Sequence, residues 1–242
     1  MVKKTVFILL ISLTNAASYA QFSLRAELGQ LYDYQQGVNR IGPVGIISEN
    51  GDPPRTTLAL VSSYSFRPRW STDLRLRYFN GIVSFVAADL EEDYEPFGPI
   101  EKGATLGYTT FNIQPLLHWQ ALQVGPIALH AHIGPSLIFQ LSDKRSPTFE
   151  YANGRHPNTA YVQNQLDDAN RPFYVGLTYG GSISYRRFFF TVDYHDNLNN
   201  SFTEDLIFEN QPYSFRNSIK YLTFLLGYQF LGKPKEQSKD GK

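Results

Sequence analysis

From residue 22 onward, apolar side chains fall on every second position in eight separate runs, with small or polar residues between them. A period of two is the pattern of a strand whose two faces meet different surroundings. In the first run, residues 22–34, Phe22, Leu24, Ala26 and Leu28 alternate with Ser23, Arg25, Glu27 and Gly29. The second, 57–66, sets Leu58, Leu60, Tyr64 and Phe66 against Thr57, Ala59, Ser63 and Ser65. The third, from Trp70, sets Leu74, Leu76 and Tyr78 against Ser71, Asp73, Arg75 and Arg77. In the fourth, Phe111, Ile113, Pro115, Leu117 and Trp119 oppose Asn112, Gln114, His118 and Gln120. In the fifth, Ile127, Leu129, Ala131, Ile133 and Leu137 oppose Ala128, His130, His132, Gly134 and Ser136. Runs at 173–185, 188–194 and 221–230 repeat the alternation, the seventh with Asp193 and His195 on its polar face. Pro115 and Pro135 go against a strand ladder because proline has no N–H to give, so bulges or strand ends are predicted at both.

The links between runs alternate as strictly as the residues within them. Arg67-Pro68-Arg69, the stretch 123–126, and Arg186-Arg187 are short, whereas 35–56, 88–103, 142–171 and 197–217 are long. Tight turns at one end and long loops at the other are the layout of a transmembrane barrel, and a soluble sandwich has no reason to keep it. The expected fold is therefore all-β: a transmembrane, antiparallel, up-and-down β-barrel of eight strands over residues 21–230. An even strand count places both termini at the short-turn end, read as periplasmic.

Aromatic residues sharpen this picture. The chain carries 16 Tyr and 18 Phe, and they cluster at the ends of the runs. Phe66, Trp70, Trp119, Phe188 and Phe230 fall near the short turns, and Tyr78, Tyr108, Phe139, Phe173 and Tyr194 near the long links. These are read as two girdles at the membrane–water interfaces, where amphipathic rings prefer to sit.

The first twenty residues are a separate matter. Lys3 and Lys4, an apolar run from Val6 to Leu13, and Ser18-Tyr19-Ala20 have the layout of a cleaved signal peptide. Without those two lysines, 20 basic residues stand against 22 acidic ones, a net charge of −2. That balance offers no footprint for nucleic acid. Cysteine is absent, so no lipid-anchored or disulfide-bonded form is available. The segment 231–242 is charged and is read as a solvated periplasmic tail.

In these features the chain resembles the small outer-membrane barrels of the OmpA/OmpX type. Among them it is most similar to the porin-like outer-membrane β-barrel proteins of Bacteroidota, which include PorT-like secretion components. The resemblance implies a Gram-negative outer membrane and Phe230 as the terminal aromatic signal read by the assembly machinery. It also implies outer-membrane lipid as surroundings and an envelope or secretion protein as partner.

Chemistry is sparse. The polar face carries Arg25, Glu27, Asp73, Arg75, Arg77, Asp193 and His195, with both signs of charge present. An eight-stranded barrel is just wide enough for side chains to fill, so these residues are expected to pair with one another in the lumen. A narrow ion or small-solute path through them is the alternative. His118, His130 and His132 fall close across a short turn and are the candidate metal ligands. Asp193, His195 and Ser201 are the only arrangement that could serve a lipid A hydrolase at the rim, although the Ser of a His-x-Ser pair is replaced by Asn197. No catalytic residue and no cofactor is expected. The remaining surface is the long links, with Glu91, Glu92, Asp93, Tyr94 and Phe97 in one and Tyr151, Arg155, His156, Tyr161, Asp167 and Asp168 in another.

Overall fold

The computed structural model describes residues 22–36, 38–42, 44–49, 54–89, 101–143, 171–208 and 210–232. The leader at 1–20, the tail beyond Gly232 and the loop residues named above lie outside the described residues. Eleven strands follow in chain order: β1 (Phe22–Gln36), β2 (Val38–Ile41), β3 (Val44–Glu49), β4 (Arg55–Arg67), β5 (Trp70–Asp89) and β6 (Glu101–Val124). They continue with β7 (Ile127–Asp143), β8 (Phe173–Tyr185), β9 (Phe188–Asn197), β10 (Phe202–Phe208) and β11 (Gln211–Leu231).

Eight of these close a ring. β1 pairs β4, β4 pairs β5, and the ladder continues through β6, β7, β8 and β9 to β11, which pairs back to β1. Every pairing is antiparallel, and the return of β11 to β1 closes the ring, which removes the edges along its shared length. The expected all-β barrel of eight strands is what forms, with tight turns at Pro68-Arg69, Gly125-Pro126 and Arg186-Arg187. Gly125 and Arg186 take left-handed backbone, φ 57° and 56°, to make two of those turns.

The long connections hold more structure than the alternation suggested. β2 and β3 form a hairpin whose second strand pairs the far end of β5, and β10 pairs the far end of β11. β5 runs on past β4, and β11 past both β1 and β9, and these free edges recruit the short strands. Tracts as short as Val38–Ile41 carry too few alternating positions to be read from sequence.

The two prolines are neither bulges nor strand ends. Pro115 and Pro135 lie opposite each other inside β6 and β7, where the ladder stops after Ile113–Leu137 and resumes at Leu117–Ile133 in the same register. Two residues without an N–H are thus placed in one break, not two. The bulge in this ladder falls at Ala121, between Gln120 and Leu122.

Burial follows the alternation closely. Along β4 and β5, Thr57, Ala59, Val61, Asp73, Arg75 and Arg77 are buried while Leu58, Leu60, Leu74, Leu76 and Tyr78 are exposed. This is a soluble protein turned inside out, with charge within and leucine without. The outer wall ends at the short turns in Phe66, Trp70, Trp119, Phe188 and Phe230, all exposed, with Trp70 paired directly to Trp119. At the other end the girdle holds Tyr78 packed on Phe111 and Phe139 on Phe173, while Tyr179 packs on Tyr194 midway along β8. Tyr108 does not belong to it. An odd spacing of three from Phe111 turns Tyr108 inward, where it is buried.

Candidate functional site: the filled lumen

Three layers fill the lumen from the short-turn end to the long-connection end. The lowest is a polar vestibule, a cavity of about 190 Å³ whose lining includes Ser63, Gln120, His130, Ser184 and Gln229. Its floor is the second layer, made of charge.

Arg25 Nε donates to Glu27 Oε1 at 2.8 Å, and Arg25 Nη2 donates to Asp73 Oδ2 at 2.7 Å. Arg75 lies 3.1 Å from Glu27 and donates to Asp193 Oδ2 at 2.7 Å. Arg77 donates to the same Asp193 oxygen. Three guanidiniums therefore meet three carboxylates, and the layer is neutral without any imidazole charge. All six are almost fully buried, and such burial is tolerable only with this pairing. The layer draws on β1, β5 and β9, strands remote in sequence that curvature of the sheet brings to one axis.

His118 and His132 join this layer and do not form a metal site with His130. They are cross-strand partners on β6 and β7 with rings stacked at 4.7 Å. Each turns its Nε2 to a different carboxylate, His118 to Asp73 at 3.1 Å and His132 to Asp193 at 2.6 Å. His130 faces Gln120 across the ladder and meets Ser184 Oγ at 3.3 Å. Among the described residues no group of three His, Asp or Glu could hold a metal ion.

His195 stands apart from the ion pairs grouped with it on sequence grounds. Its Nε2 meets Asn197 Oδ1 at 2.8 Å, its Nδ1 meets Thr178 Oγ1 at 3.0 Å, and its ring stacks on Tyr221 at 4.2 Å. Ser201 is engaged elsewhere: its Oγ donates to Asn217 O at 3.4 Å and accepts from Ile219 N at 3.1 Å. Asp193 is committed to Arg75, Arg77 and His132. The three groups of the candidate hydrolase are thus held by three different sets of partners.

The third layer is aromatic, and sequence reasoning missed most of it. Phe79 packs edge-on against Tyr221 at 5.6 Å and Tyr108 at 6.5 Å. Tyr221 OH accepts from Asn112 Nδ2 at 2.8 Å, and Tyr174 OH donates to Gln140 Oε1 at 2.9 Å. Arg55 donates to Tyr108 OH at 3.0 Å and lies 3.1 Å from Asp33. Leu31, Ile138, Phe215 and Ile219 are buried at this end as well. Parity was the available signal: Phe79 follows outward Tyr78, and Tyr174 follows outward Phe173, so each must point inward.

The sequence of this chain matches the family described as "Outer membrane protein beta-barrel domain" over residues 54–203, more than half of its length. No curated protein matches it. Among solved structures, Neisserial surface protein A is 9% identical with a TM-score of 0.43, over 86% of this chain and 97% of that one. Ail of Yersinia pestis, solved with the heparin analogue sucrose octasulfate, is 10% identical with a TM-score of 0.40, over 87% and 98%. AlkL, solved in DMPC bilayers, is 12% identical with a TM-score of 0.37, over 88% and 92%.

Proposed function

Since the chain belongs to the outer membrane protein β-barrel family, we propose that it is a non-enzymatic outer-membrane barrel, closed by its own side chains, that acts through its long connections. The observation that carries this reading is the stacked pair of layers in the lumen. A neutral set of six buried charges, each beside a charge of opposite sign, lies beneath a layer of packed aromatic rings. On this reading neither leaves room for a water-filled path, since an eight-stranded barrel is just wide enough for side chains to fill. Conduction is then closed off in this account, and the rim built on β3, β5, β10 and β11 is the surface left for recognition.

In this reading the leader is removed on export from a Gram-negative cytoplasm, and both termini and the charged tail face the periplasm. The Phe230 end is read by the assembly machinery, outer-membrane lipid covers the wall, and the long connections face the outside. A partner protein from the envelope or a secretion assembly docks there. Planar bilayers holding the mature protein are expected to stay electrically silent. Discrete conductance steps that change on Arg75→Ala would replace this reading with that of a narrow channel. His195→Ala is expected to leave the mass spectrum of lipid A unchanged in cells, and a change there would restore the hydrolase.

A further inference from the structure

The vestibule between the short turns is a recess with a buried inner end and an open mouth. Asp73, His118 and Ser182 within it are more than nine-tenths buried, while Gln123, Pro126 and Arg186 at its mouth are exposed. Its volume of about 190 Å³ is that of about six waters in the liquid, or of one sugar ring with its hydroxyls.

The lining decides what kind of guest fits. Of its nineteen residues six are serine and three are glutamine, against three with a fixed charge. Those three charges are already engaged. Arg25 Nη2 donates to Asp73 Oδ2 at 2.7 Å, and Arg25 Nη1 donates to Ser63 Oγ at 3.2 Å. Arg186 lies over the ring of Tyr185 on the outer wall, 5.4 Å from its centre. A charged guest would have to break one of these contacts to find a counter-ion. The hydroxyls are differently placed, since Ser71 and Ser182 make no side-chain hydrogen bond among the described residues. Phe189 on β9 adds an aromatic wall, steadied by the Arg25 guanidinium 4.8 Å from its ring centre. A few polar groups that fix orientation, set beside an apolar surface, make a small-ligand site.

We propose that the vestibule binds one neutral hexose unit, a free sugar or the end of a glycan chain, from the compartment that the short turns face. Serine hydroxyls and glutamine amides meet its hydroxyls, and Phe189 meets the C–H face of its ring. The inference rests on the closed lumen proposed above, which makes the vestibule a seat and not an entrance. The two fail apart: conductance steps with sugar binding intact break only that reading, and a silent barrel that ignores sugars breaks only this one.

The test is titration calorimetry on the full mature chain, folded in a zwitterionic detergent, because glucoside and maltoside detergents would themselves present the ligand. The probes are glucose, the disaccharide of N-acetylglucosamine, and glucuronate. A neutral sugar is expected to bind with a Kd of about 0.1–1 mM. Tighter binding of the disaccharide assigns the site to a glycan end, and equal or tighter binding of glucose assigns it to a free sugar. Glucuronate should bind about tenfold more weakly than glucose, since its carboxylate finds no unengaged cation. Ser71→Ala and Ser182→Ala should each lower affinity about three- to tenfold. Ser182→Leu, which puts a side chain into the recess, should abolish binding while the barrel keeps its gel mobility, and if it does not fold the two alanine variants decide. Lys220→Gln, at the far end of the barrel, should change nothing. No binding of either neutral sugar at tens of millimolar overturns the inference. Tighter binding of glucuronate than of glucose overturns it as well, because the vestibule would then be an anion site. So does undiminished binding to folded Ser182→Leu or to both alanine variants, because the sugar would then sit elsewhere.

Discussion

Leu74 and Arg75 are consecutive on β5, yet they have solved opposite problems. Arg75 is 0% exposed and bonded to Asp193, and Leu74 is 48% exposed on the outer wall. Two residues on, Leu76 and Arg77 repeat the contrast. The strand is a partition between two media. On the inner wall charge is admitted and must find a partner of opposite sign, so each residue there is specified individually. On the outer wall charge is excluded and hydrophobicity suffices, so residues are specified only by class. The inner wall should therefore be the more fragile to substitution by neutral residues, and the outer wall to substitution by charged ones.

The largest effect should come from the inner wall. Asp193 accepts from Arg75, Arg77 and His132, with Thr223 at 3.4 Å. Asp193→Ala leaves Arg77 buried without its carboxylate and Arg75 with Glu27 alone, a change of about 3–5 kcal/mol. Urea unfolding of the protein in lipid vesicles should show a loss of that size or no folded barrel at all. A loss under about 1 kcal/mol would mean that water reaches the layer and that the lumen is not closed.

The outer wall answers to Leu74→Arg. Leu74 lies between Ser62 on β4 and Pro115 on β6, midway along the exposed apolar rows of all three strands. An arginine there should cost about 2–4 kcal/mol in a bilayer, the range for a cation facing lipid at mid-depth. In vesicles this would appear as a lowered unfolding midpoint. An unchanged midpoint would mean that something other than lipid covers the wall, and the contrast between the two faces would collapse.

A third effect tests steric limits and not charge. A Cβ built on Gly134 would lie 2.0 Å from Pro115 O, in the break where the two prolines face each other. The obstacle is backbone, so Gly134→Ala must push β6 and β7 apart, at about 1–3 kcal/mol. The same unfolding assay measures it. Wild-type stability would mean that the break is already slack.

The ring of eight strands was legible because its signal is redundant: each run shows the period several times, and the short and long links repeat it at a coarser scale. The inner charges were legible for the same reason, since Arg25, Glu27, Asp73, Arg75, Arg77 and Asp193 all sit at polar phases of apolar runs. Their pairing was not. Nothing local to β5 says that Arg75 and Arg77 share Asp193, which lies 118 and 116 residues away. His195 shares a run with Asp193 but stands one turn of the alternation higher, among uncharged partners, and only the height in the barrel separates the two. Tyr108 was drawn outward by its chemistry, although its phase relative to Phe111 turns it inward.

The smallest effect returns to the comparison with a single oxygen atom. Tyr221 and Tyr228 lie on the same strand, one facing the lumen and one the lipid. Tyr221 OH accepts from Asn112 Nδ2 at 2.8 Å in a layer closed to water, whereas Tyr228 is 45% exposed and packs on Phe188 at 5.3 Å. Tyr221→Phe strands the Asn112 donor and should lower stability by about 1 kcal/mol. Tyr228→Phe keeps the ring contact and should stay within about 0.5 kcal/mol of wild type. The difference between the two variants, measured side by side in vesicles, isolates the wall from the residue type. If both lose the same amount, water or another acceptor reaches Asn112, and the aromatic layer does not seal the barrel.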